Sequence, residues 1–251
     1  MTAFALALAL FAFWSVVGWS VLSLLLSRRN LLRSALLSPV VGVATLILLL
    51  FELYRLGVPV RISGPAASVL LLAGSVAVLW FRRTPLPSRR LAPLAALVVA
   101  AAVLTGSPLL LHGFDWVSFC NEDMTNYVLS ARTFLDHGYL SAVDPRAVVE
   151  NRDPGLLLWL QAFTSIGVRQ GSELTLAWVM SLTGRTGHQI YMVTIVALHL
   201  SLLAAAGAVV LRRRSDRVPA LATCALVAAS ALTTLGTLYQ LISQVLGLGL
   251  A

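Results

Sequence analysis

Residues 121–138 read NEDMTNYVLSARTFLDHG, and the rest of the chain is arranged around this stretch. Its apolar residues recur at steps of three and four, which is typical of one face of an α-helix. They are Met124, Tyr127, Val128, Ala131, Phe134 and Leu135. The other side carries Thr125, Ser130, Arg132, Thr133 and Asp136. The pattern predicts an amphipathic helix of about four turns, too short and too charged to cross a bilayer and suited to lie at its surface.

Both ends of the stretch carry residues that favour helix boundaries. Asn121 is a candidate N-cap, and the carboxylates of Glu122 and Asp123 complement the positive end of the helix. Gly138 is a candidate stop at the C-terminal end. The sequence therefore predicts a helix that starts with two acids.

The composition excludes a soluble globular protein. Hydrophobic residues make up 59% of the 251 residues, charged residues make up 11%, and the mean hydropathy is +0.89. These values predict an all-α, polytopic membrane protein whose surroundings are a lipid bilayer. The net charge of +8 does not indicate a nucleic-acid partner, because the arginines are distributed among loops and do not form one patch.

Six apolar runs are long enough to cross a membrane, and together they predict one transmembrane domain over residues 1–251. The runs are 3–27, 35–57, 64–81, 91–112, 187–211 and 218–240. Two shorter runs, 156–166 and 174–182, are better interpreted as interfacial or re-entrant helices. The chain stops within an apolar stretch, so either it ends just outside the membrane or it is the front part of a longer protein, and we expect the second.

Charge sorts the loops into two sets. Eleven of the eighteen arginines lie in 28–33, 82–90 and 212–217, together with one acid, Asp216. Residues 113–185 hold eight of the ten acids. The positive-inside rule then predicts a multi-pass protein of the plasma (inner) membrane, with the N-terminus and loop 113–185 outside.

Cysteine and histidine give no sign of a disulfide or a metal centre. Cys120 and Cys224 are expected at different depths, so a disulfide between them is not predicted. The four histidines show no ligand spacing and are interpreted as structural. They are His112, His137, His188 and His199. No cofactor is predicted, although a divalent metal stays possible, and Glu122 could contact either such a metal or the acceptor.

Two motifs, in order, resemble a known family. The segment DMTNYVLSAR at 123–132, followed by Gly138, resembles the first outer loop of GT-C glycosyltransferases, with Asp, Tyr, Ala, Arg and Gly in register. The segment DPGLLLWLQA at 153–162 is similar to that family's Lys-Pro-Pro-Leu-x-x-Trp-Leu-x-Ala helix. Such enzymes include protein O-mannosyltransferases and the aminoarabinose transferases of lipid A. The resemblance covers about residues 91–212.

The chain departs from the family pattern in three ways. The family's acidic pair is shifted by one position to Glu122 and Asp123, and Asp153 stands where the family has Lys, with Arg152 one step earlier. Three additional spanning helices precede the loop. The later helices of the family are missing after it.

The resemblance implies transfer of a sugar from a polyprenyl-phosphate donor to an acceptor outside the cell, with inversion at the sugar carbon. Asp123 would be the general base that takes the acceptor proton. Arg132 or Arg152 would bind the departing lipid phosphate. The remaining expected substrate contacts are Glu122, Tyr127 and Trp159.

Each of these residues also has a structural interpretation, and two other function classes stay open. Asp123 and Glu122 suit a helix start, Tyr127 and Trp159 suit the aromatic belt, and both arginines suit lipid headgroups. One alternative function is a non-catalytic, lipid-binding scaffold whose partner is a larger transferase. The other is a transporter with Asp115, Glu122 and Asp123 along its path, ranked last because almost no charged residue falls within the spans.

Overall fold

The chain is helical in the computed structural model, which describes residues 2–25, 31–82, 88–118, 122–139, 146, 149–150, 152, 170–211, 216–239 and 241–250. Those residues form ten α-helices and no strand. In chain order they are α1 (Ala3–Leu25), α2 (Leu31–Arg55), α3 (Val60–Arg82), α4 (Ser88–Leu111), α5 (Glu122–Asp136), α6 (Gly171–Thr183), α7 (Gly187–Val210), α8 (Arg217–Ala229), α9 (Ala231–Leu238) and α10 (Ile242–Leu250). The predicted fold class, an all-α polytopic membrane protein, is confirmed.

Five helices of the described chain are long and apolar enough to cross a membrane. They are α1, α2, α3, α4 and α7, and their apolar lengths run from 20 to 25 residues. A helix needs about 20 apolar residues to cross the hydrocarbon core of a bilayer. These helices correspond to the first five predicted spans.

The sixth predicted span, 218–240, is wrong as a single helix. Ser230 is extended (ψ 123°) and divides the run into α8 and α9, of 13 and 8 residues. The hydroxyl of Thr233 donates to the carbonyl oxygens of Val227 (2.6 Å) and Ser230 (3.2 Å). Backbone groups released at a helix break in an apolar environment need such partners, and Ser and Thr supply them locally.

Helix α7 forms the centre of the bundle. Nearly all of its residues are buried, and α1, α2, α4, α5, α6, α8 and α10 all pack against it. Its start is encoded locally by a capping box: Thr186 Oγ1 accepts from the Gln189 nitrogen at 3.4 Å, and Gln189 Oε1 accepts from the Thr186 nitrogen at 3.2 Å. Near its other end, a Cβ on Gly207 would overlap Cys224 Sγ of α8.

Helices α1 and α2 cross with their backbones in contact. A Cβ on Gly18 would overlap the Ser38 carbonyl oxygen and lie 2.6 Å from the Gly42 nitrogen. A Cβ on Gly42 would in turn overlap the Trp14 carbonyl oxygen. Small residues four apart, here Ser38 and Gly42, let membrane helices approach closely enough for van der Waals packing to hold them together.

The five long helices, α1, α2, α3, α4 and α7, alternate in direction, and the bundle therefore has two distinct ends. We call the end with the connections after α1, α3 and α7 the arginine end, because eleven arginines of the sequence lie in or beside these connections. We call the opposite end the loop end, because it holds the turns 56–59, 112–118, 137–139 and 184–186. Ser20 of α1 and Ser75 of α3 are hydrogen-bonded (Oγ–Oγ 2.9 Å) near the arginine end, as two parallel helices require.

Helix α6 penetrates the bundle from the loop end. Trp178 Nε1 donates to Ser68 Oγ of α3 at 2.8 Å, and a Cβ on Gly171 would lie 3.6 Å from Ile47 Cδ1 of α2. Its 13 residues are about 20 Å long, well short of a full span. Residues 174–182 were expected to form an interfacial or a re-entrant helix. Because α6 is buried in the bundle, it fits the re-entrant alternative.

The α1–α2 crossing gives a stability prediction. Gly42→Ala forces a Cβ against the Trp14 carbonyl, so we expect a loss of about 1–3 kcal/mol or more, as for other overpacked interiors. Gly74→Ala in α3 is the matched control, since nothing lies within 4 Å of its added Cβ. Thermal unfolding in detergent measures both. An equal melting temperature for the two variants would show that the crossing tolerates a side chain.

Candidate functional site at the loop end

The apolar face of α5 is packed against protein. Met124, Ala131 and Phe134 are fully buried, Val128 and Leu135 are nearly so, and α5 contacts α3, α6 and α7. A Cβ on Gly187 at the start of α7 would lie 2.6 Å from Val128 Cγ1. The predicted helical face is confirmed. This apolar face is covered by α6 and α7. The sequence predicted instead that it would rest on the membrane surface.

The prediction that Thr133 lies on the polar side of this helix is wrong. Only 4% of the residue is exposed, and its hydroxyl donates to the Leu129 carbonyl oxygen at 3.2 Å. A threonine that satisfies its own hydroxyl on the preceding turn can be buried at little cost. Polarity alone therefore misassigned it.

Gly138 acts differently from the predicted helix stop. Helix α5 ends at Asp136, and Gly138 is not among the described glycines with positive φ, which are Gly57, Gly113 and Gly184. Instead, a Cβ on Gly138 would overlap the Gly57 carbonyl oxygen and lie 2.7 Å from its Cα. Tyr139 adds a backbone hydrogen bond to the Tyr54 carbonyl oxygen at 3.1 Å. Glycine is needed here for the close approach of two backbones.

An ion pair and an edge-to-face ring contact complete the attachment of α5 to the α2–α3 turn. The Arg61 guanidinium donates to Asp136 Oδ1 through Nε at 3.0 Å and through a second nitrogen. The Tyr54 ring meets the Phe134 ring edge-to-face at 4.9 Å between centroids. The C-terminal end of α5 is thus held by packing, backbone and charge together.

The two acids at the start of α5 are placed by their backbones only. Glu122 and Asp123 form the first turn of the helix, as predicted, and their side chains lie outside the described residues, as do Asn121 and Cys120. Asp123 precedes Tyr127 by four residues, hence by one helical turn. Tyr127 is half-buried, with its ring 6.4 Å from the ring of the fully buried Tyr191.

The two candidate phosphate-binding arginines differ in position. Arg132 lies on the exposed side of α5, with Nε 3.9 Å from Asp136 Oδ2. Arg152 is exposed, and its Nε lies 2.6 Å from Glu150 Oε2. Trp159 and the DPGLLLWLQA motif at 153–162 lie outside the described residues. The structure thus brings Tyr127 and Arg132 onto one helix and supports no statement on Trp159.

The segment after α4 forms the remaining wall of the loop end. One turn of 3₁₀ helix, Gly113–Asp115, follows α4, and the Arg185 guanidinium lies 3.6 Å from the centroid of the Phe114 ring. This cation–π contact joins the α4 end to the α6–α7 turn. Asp115 is exposed, and Trp116 packs against the core.

Glu173 is a buried acid that the sequence analysis does not single out. It was counted with the outer loop, but it lies in the first turn of α6 and is only 6% exposed. The Ser172 hydroxyl donates to Glu173 Oε2 at 2.6 Å and lies 3.0 Å from the Ser243 hydroxyl of α10. The apolar run that follows, LTLAWVM at 174–180, was the available signal that this acid is drawn into the bundle.

The part of the chain that the structure describes holds no cluster of metal ligands around α5. No group of three or more His, Cys, Asp or Glu side chains there is arranged to hold a metal ion. His199 is buried with Nδ1 3.2 Å from Thr237 Oγ1, and Cys224 is a buried free thiol. Two cavities lined by described residues, of about 370 and 360 Å³, lie between α1, α2, α3 and α4 and beside α7, α9 and α10.

Comparison with known proteins found no protein-family model, no curated protein and no solved structure that matches this chain. The likeness to GT-C transferases accordingly stands on the residues of the two motifs alone.

The attachment of α5 gives a second stability prediction, in which sterics outweigh charge. Gly138→Ala must separate the 57 and 138 backbones, and we expect a loss of about 1–3 kcal/mol. Arg61→Gln removes an ion pair whose arginine side chain is 63% exposed, so its cost should stay below about 1 kcal/mol. Protection of α5 amides in hydrogen exchange reports both. A larger loss of amide protection in Arg61→Gln than in Gly138→Ala would show that the ion pair contributes more than the backbone contact.

Proposed function

We propose that this protein transfers a sugar from a polyprenyl-phosphate donor to an acceptor on the outer side of the plasma (inner) membrane. The observation that carries the proposal is the start of α5, where Glu122 and Asp123 open a helix packed at the loop end of a membrane bundle. The two motifs similar to GT-C transferases, at 123–132 and 153–162, supply the reaction class.

In this proposal Asp123 is the general base. Transfer from a lipid phosphate passes through a cation-like sugar centre while the acceptor hydroxyl loses its proton. A carboxylate within hydrogen-bond reach of that hydroxyl takes the proton. Helix α5 is suited to hold such a group because it is attached at its far end by Gly138, Asp136 and Phe134.

The departing lipid phosphate needs a cation, and Arg132 is the first candidate. It lies on α5 itself, it is exposed, and its Nε is 3.9 Å from Asp136 Oδ2, too far for a hydrogen bond. Arg152 is the second candidate, although Glu150 holds it at 2.6 Å. Glu122, Tyr127 and Trp159 are assigned to sugar or acceptor contacts.

Replacing the proposed base tests the activity. Asp123→Asn keeps size and polarity but cannot accept a proton, so transfer of labelled sugar from a polyprenyl-phosphate donor should fall about 10²–10⁴-fold. Membrane vesicles that contain the full chain are used for the assay. Asp115→Asn is the matched control, because this acid is exposed at the same end and is not assigned to the reaction.

The result separates the two main functions. Full activity of Asp123→Asn would reject Asp123 as the base. A non-catalytic scaffold would show no transfer by the wild-type chain and would co-purify with a larger transferase.

One observation favours a second candidate function, transport. Glu173 is a buried carboxylate within the membrane bundle, and intramembrane acids commonly line ion or proton pathways. Under this alternative, vesicles would show a solute or proton flux that Glu173→Gln abolishes, without consumption of any glycolipid.

The orientation is a prediction of its own. Thr125 is exposed on α5 at the loop end, and Val218 is 76% exposed at the arginine end. In a Cys120→Ser background, an impermeant maleimide added to intact cells should label Thr125→Cys and not Val218→Cys, because the positive-inside rule puts the arginine end in the cytoplasm. The opposite labelling would place α5 on the cytoplasmic side and remove the proposed function.

A further inference from the structure

A groove runs between four helices in the half of the bundle next to the arginine end. Each helix contributes to its wall, for example Trp19 of α1, Ser38 of α2, Leu79 of α3 and Val98 of α4. Its volume is about 370 Å³, within the range of about 300–1,000 Å³ that small-molecule sites occupy. The groove is at the opposite end from α5, so the site proposed above does not account for it.

The groove reaches the lipid-facing surface of the bundle. Val16 and Val99, which line it on α1 and α4, are 36% and 55% exposed. Its lining is almost entirely apolar. A hydrocarbon chain from the surrounding bilayer can therefore enter from the side.

One buried N–H group in the wall of the groove lacks a hydrogen-bond acceptor within the described chain. Trp19 is only 6% exposed, and its Nε1 has no hydrogen-bond acceptor among the described residues. The hydroxyls of Ser15 and Ser38, which also line the groove, donate to the carbonyl oxygens of Phe11 (2.7 Å) and Ala35 (2.8 Å). A buried N–H without an acceptor is unfavourable, so an occupant with an acceptor oxygen is favoured over a plain hydrocarbon.

The charge beside the groove selects the headgroup. The connections α1–α2 and α3–α4, which join the four helices of the groove, carry seven arginines within 26–34 and 82–91 and no acid. Arg82 is exposed and lies one helical turn beyond Leu79, and Arg33 is exposed two residues before the groove residue Ala35. Basic residues at a membrane surface attract anionic lipids.

We propose that this groove binds one anionic phospholipid from the leaflet at the arginine end. One acyl chain fills the groove, an ester carbonyl accepts the Trp19 Nε1 hydrogen bond, and the phosphate lies among the arginines that include Arg33 and Arg82. The depth is consistent with this arrangement. Trp19 lies six residues before the end of α1, about 9 Å along the helix axis, so it faces the glycerol region of the lipid and not the tail end.

Native mass spectrometry of the full chain, released from detergent with added lipid, tests which lipid headgroup is preferred. Phosphatidylglycerol and phosphatidylcholine with identical acyl chains are the probes. Phosphatidylglycerol should be retained at a one-to-one ratio with at least about tenfold preference, because two arginines act on one phosphate. Arg33→Gln/Arg82→Gln, both at exposed positions, should remove that preference without changing the fold.

Two further variants test the groove itself. Ala95→Phe projects a ring into it and should abolish retention, whereas Ala100→Phe, at an exposed position of the same helix that does not line the groove, should not. Trp19→Phe should weaken binding of diester phosphatidylglycerol about two- to tenfold, the worth of one hydrogen bond, and leave a diether analogue unaffected.

Three results would overturn the proposal. The first is equal lipid retention by Ala95→Phe and Ala100→Phe when both melt at the wild-type temperature. The second is the absence of any preference for phosphatidylglycerol in the wild type. The third is displacement of phosphatidylglycerol by polyprenyl phosphate together with loss of sugar transfer in Ala95→Phe, which would assign the groove to the donor. Failure of Asp123→Asn to reduce transfer has no bearing on this site.

Discussion

The contact between the backbones of α1 and α2 is the constraint on which the rest of the bundle depends. In a bilayer, apolar side chains gain little by leaving lipid for protein, so helices associate where small residues allow their backbones to meet. Gly18, Ser38 and Gly42 provide that meeting point. The ring of Trp14, on the same stretch of α1, lies 6.2 Å from the ring of Trp178 of α6, so the crossing also helps to position α6.

Close contacts at glycines also attach the elements of the candidate site. Gly64 of α3 accommodates Ser181 of α6, Gly187 of α7 accommodates Val128 of α5, and Gly138 meets Gly57. At each of these positions the absence of a side chain allows the glycine to contact a neighbouring element directly. Helix α5 is consequently held in one position against the loop end, which is the property that a helix carrying a reactive carboxylate requires.

The two ends of the molecule have different chemistry. The loop end joins acids, a tilted pair of tyrosine rings and the Arg61–Asp136 pair, whereas the arginine end joins a lipid-accessible groove to connections rich in arginine by sequence. Between them lies Glu173, a carboxylate drawn into the bundle with Ser172 and Ser243. The proposed sugar-transfer site at one end and the proposed phospholipid site at the other can coexist because they share no wall.

Local signals in the sequence were sufficient for the membrane class, for the five spans and for the inner face of α5, because apolar length and helical period depend on nearby residues only. The candidate site was predictable as a helix that starts with two acids, and its side-chain geometry was not. Other features depended on which distant segments meet: the break at Ser230, the burial of Thr133 and Glu173, and the steric role of Gly138. A glycine in contact with another backbone and a glycine that ends a helix have the same letter in the sequence. Only the tertiary structure, which brings residue 57 to residue 138, distinguishes them.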